Sequence, residues 1–243
     1  MPSLHISGLR IPPHVEPTLF AQLSILISEE RRNRLNQFRF AADAYRSLFA
    51  ELLLLITFRD ITGRTPTMLR FGKNEYGKPF FENERSIHFN LSHSGDWVVA
   101  VMGSQPVGID VEQMKEMDYH SIARSFFAID EYNDLLEQPA NKQLDYFYSL
   151  WTRKESYIKQ RGLGLSIPLD SFAMSRIEKA EDAFIPAENL EGHVCFLSRT
   201  LDEQHRMAVC IPEELLKEPV LDKLMTMDTL IAECNDLLQQ DDQ

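Results

Sequence analysis

Val107-Gly108-Ile109-Asp110-Val111-Glu112 and Trp151-Thr152-Arg153-Lys154-Glu155-Ser156-Tyr157-Ile158-Lys159 are the two stretches on which the fold turns. In the first, Val107, Ile109 and Val111 alternate with Gly108, Asp110 and Glu112, the period of a half-buried strand, so both carboxylates leave one face. In the second, Trp151, Glu155 and Lys159 recur every fourth residue and share one face of a helix. Where strand and helix meet, three carboxylates and an ammonium surround one space. Crowded carboxylates repel and resist ionisation unless a cation joins them. A hard divalent ion satisfies them, and Mg²⁺ favours a few carboxylates together with substrate phosphates. Asp110, Glu112 and Glu155 are therefore the candidate metal ligands of an enzyme acting on a phosphate ester.

Around these stretches the chain reads as a mixture of helices and short strands, an α+β architecture. Ser28 caps an expected helix from Glu29 to Phe38, and a second is expected from Ala42 to Thr57, with Leu48, Phe49, Leu52 and Ile56 on its apolar stripe. Strands are expected over Ile87–Leu91 and Trp97–Met102, with Ser92 to Asp96 as their turn. Residues 119–137 and Tyr146–Gln160 read as helical, Gly162 ending the latter. Further short strands are expected at Ser171–Met174, Val194–Leu197 and Arg206–Ile211. The Gly103–Pro106 turn divides an N-terminal half (1–104) from a C-terminal half (105–212), and an acidic helical tail (213–243) follows. No internal repeat stands out.

Composition narrows the function. The 243 residues carry a net charge of −12, which disfavours a nucleic-acid backbone as partner. The three cysteines form no metal-binding or disulfide pattern and read as reduced core thiols of a cytoplasmic protein. The greasiest run, Leu52 to Ile56, is far shorter than the roughly 20 residues of a membrane span. Neither a Walker-type phosphate loop nor a nucleophile elbow is present.

Other residues extend the phosphate reading. Lys159, one turn beyond Glu155, can face charge that develops during phosphoryl transfer. Arg31, Arg32, Arg34, Arg39 and Arg46 make a local basic cluster in an acidic chain, and guanidinium forks suit phosphate oxygens. Lys78, in Tyr76-Gly77-Lys78-Pro79, adds to that edge. His93 lies in a hydroxyl-rich segment, Ser92-His93-Ser94-Gly95, able to offer donors to an anion.

Three blocks, Phe89-Asn90-Leu91-Ser92-His93-Ser94, Val107 to Glu112 and Trp151 to Lys159, resemble the signatures of the 4′-phosphopantetheinyl transferase superfamily, closest to its surfactin-synthetase-activating (Sfp) type. The resemblance runs from about Ser28 to Phe172. It implies a monomeric pseudo-dimer of two similar α/β halves with the active site in the cleft between them. It also implies coenzyme A as substrate, Mg²⁺ on Asp110, Glu112 and Glu155, and contacts to the 3′-phosphate and adenine side from Arg31, Arg34, Arg46, Ser47, Lys78, Ser92 and His93. Glu155 or Glu131 would be the general base, and Lys159 would steady the phosphate in transit. The partners implied are the peptidyl or acyl carrier protein domains of nonribosomal peptide, polyketide or fatty acid synthases, as in antibiotic biosynthesis. Arginines stand at 31 and 34 where lysines are familiar, and the tail beyond Glu213 has no counterpart. Phe126, Phe127 and Tyr132 form a candidate docking patch for the carrier. A Mg²⁺-dependent nucleotide pyrophosphate hydrolase and an inactive carrier-binding module are the alternatives.

Overall fold

The computed structural model describes residues 4–66, 69–174, 182–187 and 190–241. Strand β1 (Leu4–Arg10) is followed by helices α1 (Pro17–Leu23), α2 (Glu29–Leu35) and the long α3 (Ala41–Thr62). A small hairpin of β2 (Phe71–Lys73) and β3 (Pro79–Phe81) precedes a larger one, β4 (His88–Ser94) and β5 (Trp97–Gly103). The chain then crosses into β6 (Gly108–Gln113), helices α4 (Tyr119–Phe126), α5 (Ile129–Glu137) and the long α6 (Ala140–Arg161), and strands β7 (Phe184–Ala187), β8 (Val194–Asp202) and β9 (His205–Pro212). Strand β10 (Val220–Met225) and helix α7 (Met227–Asp241) close it.

Two sheets carry the architecture, ordered β10-β1-β5-β4 and β6-β9-β8-β7. Each half repeats one plan: a strand, a 22-residue helix, then a hairpin whose second strand returns antiparallel to the first. Both long helices stop at a glycine in the left-handed region, Gly63 and Gly162. One core lies between α3, α7 and the N-terminal sheet, built on Leu48, Leu52, Ile56, Val98 and Leu230. A second fills the space between the sheets, where Ile6, Val99 and Val101 meet Ile109, Val209 and Ile211. A third joins α6 to the outer face of the C-terminal sheet through Phe147, Tyr157, Phe196 and Cys210. The result is helix, sheet, sheet, helix, a topological duplication in agreement with the pseudo-dimer expected.

Several expected boundaries move. Helix α3 runs to Thr62 because Phe58 and its neighbours continue the buried face, and α2 ends early at Leu35. His93 belongs to strand β4, leaving Gly95 and Asp96 as the tight turn. Residues 119–137 form two helices, since Phe127 and Ala128 turn extended between them. Helix α6 begins earlier, at Ala140, behind Pro139. Residues 171–174 are not a strand; side chains satisfy this backbone instead, Glu131 accepting the Met174 N–H and Lys154 donating to the Phe172 carbonyl. The segment from 213 is not helical throughout. Strand β10 pairs parallel with β1, and α7 buries Leu230, Cys234 and Leu237 against α3, so this part returns to the N-terminal half.

Candidate active site

The two halves meet where an edge of each sheet, β4 and β6, run side by side. At Gly108 the backbone of β6 touches α6, and a Cβ there would collide with the Ser156 carbonyl and the Gln160 N–H. This close approach brings Asp110, two residues along β6, under Glu155 and Lys159 on α6. A cavity of about 490 Å³ opens above them, lined by Asp110, Glu112, Glu155 and Lys159 from the C-terminal half and by Arg31, Ser47, Glu51, Ser92 and His93 from the N-terminal half. Trp151, expected on the same helical face, stacks on Phe147 instead, with ring centroids 5.8 Å apart. Four residues overshoot a full helical turn by about 40°, so the third member of an i, i+4, i+8 row drifts off the face.

Electrostatics in this cavity are unbalanced. Asp110 is buried; its Oδ1 accepts from Lys159 Nζ at 2.6 Å and Ser92 Oγ at 3.0 Å, while its Oδ2 is buried without a hydrogen-bond partner. Burial raises the Asp110 pKa against the pull of Lys159. Glu112 accepts from Ser94 Oγ at 2.8 Å, yet burial and repulsion from Asp110 push its pKa up to about 7. Burial and Asp110 raise Glu155 as well. One ammonium does not neutralise three desolvated carboxylates. An orphaned carboxylate oxygen beside two strained acids is the donor set a hard divalent cation fits.

On the opposite wall, Arg31 Nε lies 2.9 Å from Glu51 Oε2 in an ion pair, with the guanidinium over the Phe71 ring. His93 is held below its usual pKa, first by burial and then by nearby Arg46, so its imidazole is neutral at pH 7. Arg46 itself is tied to Asp43 at 2.5 Å and to the Gly95 carbonyl at 2.9 Å. Arg34 is exposed and outside the cavity lining, because α2 turns only Arg31 inward.

Arg46 too lies outside the cavity lining, and two further expected site residues stand elsewhere. Lys78 is half-buried at the junction of the halves, where Nζ donates to the carbonyls of Val107 at 3.0 Å and Gln160 at 3.1 Å; desolvation of the ammonium pushes its pKa down to about 8. It braces the end of α6 and does not line the cavity. Glu131 is 3% exposed, with Oε2 2.7 Å from Lys154 Nζ and 2.8 Å from the Ala128 N–H, and Oε1 2.7 Å from the Met174 N–H. A carboxylate so saturated is placed to hold the structure, and it does not line the cavity. Phe127 is likewise core, whereas Phe126 is 47% exposed.

Sequence reasoning missed Glu51 and Phe38 in the lining and Ser94 behind Glu112. Glu51 was visible as a lone acid inside the leucine-rich stripe of α3, and Ser94 as the last member of an alternating polar row. Among the described residues, the one group of three ligand types with atoms within 4.8 Å is Asp96, Asp202 and His205, not the cavity trio. There Asp202 Oδ1 lies 2.8 Å from Nδ1 and Asp96 Oδ1 3.3 Å from Nε2, one carboxylate on each side of the ring. Arg10 and Trp97 already occupy the outer oxygens. That arrangement sets the ring between the two hairpin turns.

Comparison with known proteins bears on the whole chain. Residues 106–210 match the family model of the 4′-phosphopantetheinyl transferase superfamily, and residues 14–105 match that of the 4′-phosphopantetheinyl transferase N-terminal region. The 4′-phosphopantetheinyl transferase psf-1 of Bacillus pumilus is 37% identical over 216 residues, covering 89% of this chain and 91% of that protein. The 4′-phosphopantetheinyl transferase Sfp of Bacillus subtilis strain 168 is 40% identical over 186 residues, 76% of this chain and 81% of that protein. The 4′-phosphopantetheinyl transferase gsp of Aneurinibacillus migulanus is 36% identical over 202 residues, 83% of each. With both halves matched in order and the cleft between them built from the two decisive motifs, the chain belongs to the 4′-phosphopantetheinyl transferases, as an enzyme of the Sfp type.

Proposed function

We propose that this enzyme moves the 4′-phosphopantetheine arm of coenzyme A onto a serine hydroxyl of a carrier-protein domain of a nonribosomal peptide, polyketide or fatty acid synthase, releasing 3′,5′-ADP. The observation that carries this reading is the cavity itself: three carboxylates and Lys159 on one wall, and Arg31, Ser47 and His93 on the other. The acidic wall suits a metal-bound diphosphate, and the opposite wall a further phosphate monoester.

Asp110, Glu112 and Glu155 would hold Mg²⁺, which supplies charge neutralisation for the pyrophosphate when bound. Arg31 offers the guanidinium edge not taken by Glu51, and neutral His93 and Ser47 add hydrogen bonds without another full charge. Ser92 serves indirectly, since its hydroxyl is committed to Asp110. Glu155, whose pKa burial raises, is the general base that takes the carrier serine proton. The serine Oγ then bonds to the β-phosphorus as the bridging oxygen to the α-phosphate leaves with its electron pair. Lys159, already 28% exposed to the cavity, follows the charge that moves onto that oxygen. The enzyme acts as a monomer in the cytoplasm, where coenzyme A and carriers meet; among the described residues no helix is long and apolar enough to cross a membrane.

Incubation with coenzyme A, Mg²⁺ and an apo peptidyl carrier protein, read by intact-protein mass spectrometry, tests this. A phosphopantetheine adduct on the carrier serine is the expected product. Free phosphopantetheine would establish the hydrolase instead, and no product would leave a binding module.

A further inference from the structure

Strand β4 carries a polar row, Asn90, Ser92 and Ser94, spaced by two and so aimed to one side. That side faces β6, the edge of the other sheet, whose outward N–H groups would otherwise lack partners in a buried junction. Each member of the row takes one of them. Asn90 Oδ1 accepts the Ile109 N–H at 2.8 Å, Ser92 Oγ the Val111 N–H at 3.3 Å, and Ser94 Oγ the Gln113 N–H at 3.0 Å, all at a constant offset of 19 residues. Side chains thus replace a strand, running parallel to β6 in strict register.

Two of the three do more. A serine hydroxyl that accepts an N–H still has its own proton to give. Ser92 gives it to Asp110 Oδ1 at 3.0 Å and Ser94 gives it to Glu112 Oε2 at 2.8 Å. The backbone bond fixes where the hydroxyl sits, and the hydroxyl fixes the carboxylate. Asn90, outside the cavity lining, takes the backbone N–H alone among the described contacts.

We propose that the two serines of this row orient the acidic wall, with Ser94 a positioning residue for Glu112; this rests on the reading of Asp110, Glu112 and Glu155 as metal ligands. Ser94 does not line the cavity and acts through Glu112 alone. Partners behind a metal ligand are worth roughly 10–100-fold in metal affinity or activity. Ser94→Ala removes the 2.8 Å hydrogen bond that fixes Glu112 Oε2 and leaves the carboxylate to turn away from the site.

The test titrates Mg²⁺ into the enzyme–coenzyme A complex by calorimetry, with thermal melting in parallel. Ser94→Ala is expected to weaken Mg²⁺ binding about tenfold and to raise the Mg²⁺ needed for half-maximal transfer by a similar factor. Ser94→Thr, which keeps the hydroxyl, is expected to bind like the wild type. Asn90→Ala supplies the contrast: a lower melting temperature with the Mg²⁺ affinity of the wild type. Wild-type affinity in Ser94→Ala, or an equal loss in Asn90→Ala, overturns the positioning role and leaves the row a structural seam. An Asp110→Asn variant that binds Mg²⁺ as tightly as the wild type overturns the metal-ligand reading beneath it, a separate and distinguishable result.

Discussion

Glu131 separates a structural acid from a catalytic one. Its partner Lys154 is 0% exposed, and the Lys154 ammonium is drawn below its usual pKa by burial even with the carboxylate beside it. Replacing Glu131 with alanine leaves that amine without a counter-charge and strips acceptors from the Ala128 and Met174 N–H groups. Removing one member of a buried ion pair costs about 3–5 kcal/mol. For a chain of this size that lowers the melting temperature by roughly 10 °C. Part of the cost is recovered when Lys154 sheds its proton, because it still donates to the Leu169 and Phe172 carbonyls. A double Glu131→Leu, Lys154→Met variant should therefore melt well above Glu131→Ala, since no charge remains to be buried. At a temperature where Glu131→Ala stays folded, kcat for carrier modification should remain within about twofold of wild type. Loss of a general base would instead cost about 10²–10⁴ in rate. A hundredfold fall in kcat with an unchanged melting temperature would refute the structural assignment.

Lys78 gives a pH-dependent contrast. Its pKa falls from the ordinary 10.5 to about 8 on folding, so below pH 8 the fold bears a charge it disfavours, and that penalty is relieved as pH climbs from 8 toward 10.5. Unfolding free energies of wild type relative to Lys78→Met should therefore shift in favour of wild type by up to about 3 kcal/mol over that window; a constant difference would deny the burial. The acidic wall predicts a dependence of the same sense for metal in a lower window: with Glu112 near 7, Mg²⁺ must displace protons, so affinity should drop as pH falls through 7 and calorimetric heats should vary with buffer ionisation. Equal affinity at pH 6 and pH 8 would exclude those carboxylates. Deleting the chain from Glu218 onward removes β10 and α7, exposes the α3 face that covers Leu230, Cys234 and Leu237, and breaks the Arg199–Asp222 bridge between halves. The truncated chain should lose its cooperative melting transition, and retention of it would show that this segment is an appendage.

The parts of the site that were legible before folding are those whose neighbours lie within one helical turn or one strand step. Asp110 and Glu112 share a strand face, Glu155 and Lys159 share a helix face, and both pairs reach the cavity. Lys78 and Glu131 were misplaced because a sequence gives a charge its type but not its direction. Lys78 needs the end of α6, 82 residues away, and Glu131 needs Lys154 and Met174. The duplication, implied by the family resemblance, leaves no internal repeat in the residues for a different reason. A buried sheet face asks only for apolar bulk, so β1 and β6 occupy equivalent places with Leu4-His5-Ile6-Ser7 in one and Gly108-Ile109-Asp110-Val111 in the other. Topology was copied while side chains diverged.

That divergence explains why the chemistry sits at the seam and not inside either half. An edge strand buried against another domain must find partners for its N–H groups. A second backbone strand would have supplied them in a continuous sheet, leaving no space for substrate. Side-chain acceptors from Asn90, Ser92 and Ser94 satisfy β6 while keeping the sheets distinct. They hold open the angle in which Asp110 and Glu112 emerge, and Gly108 lets α6 approach closely enough to add Glu155 and Lys159. The carboxylates are thus tolerable only where both halves are present. One half supplies the acids and the other supplies the hydroxyls that aim them, so neither half alone could assemble the site.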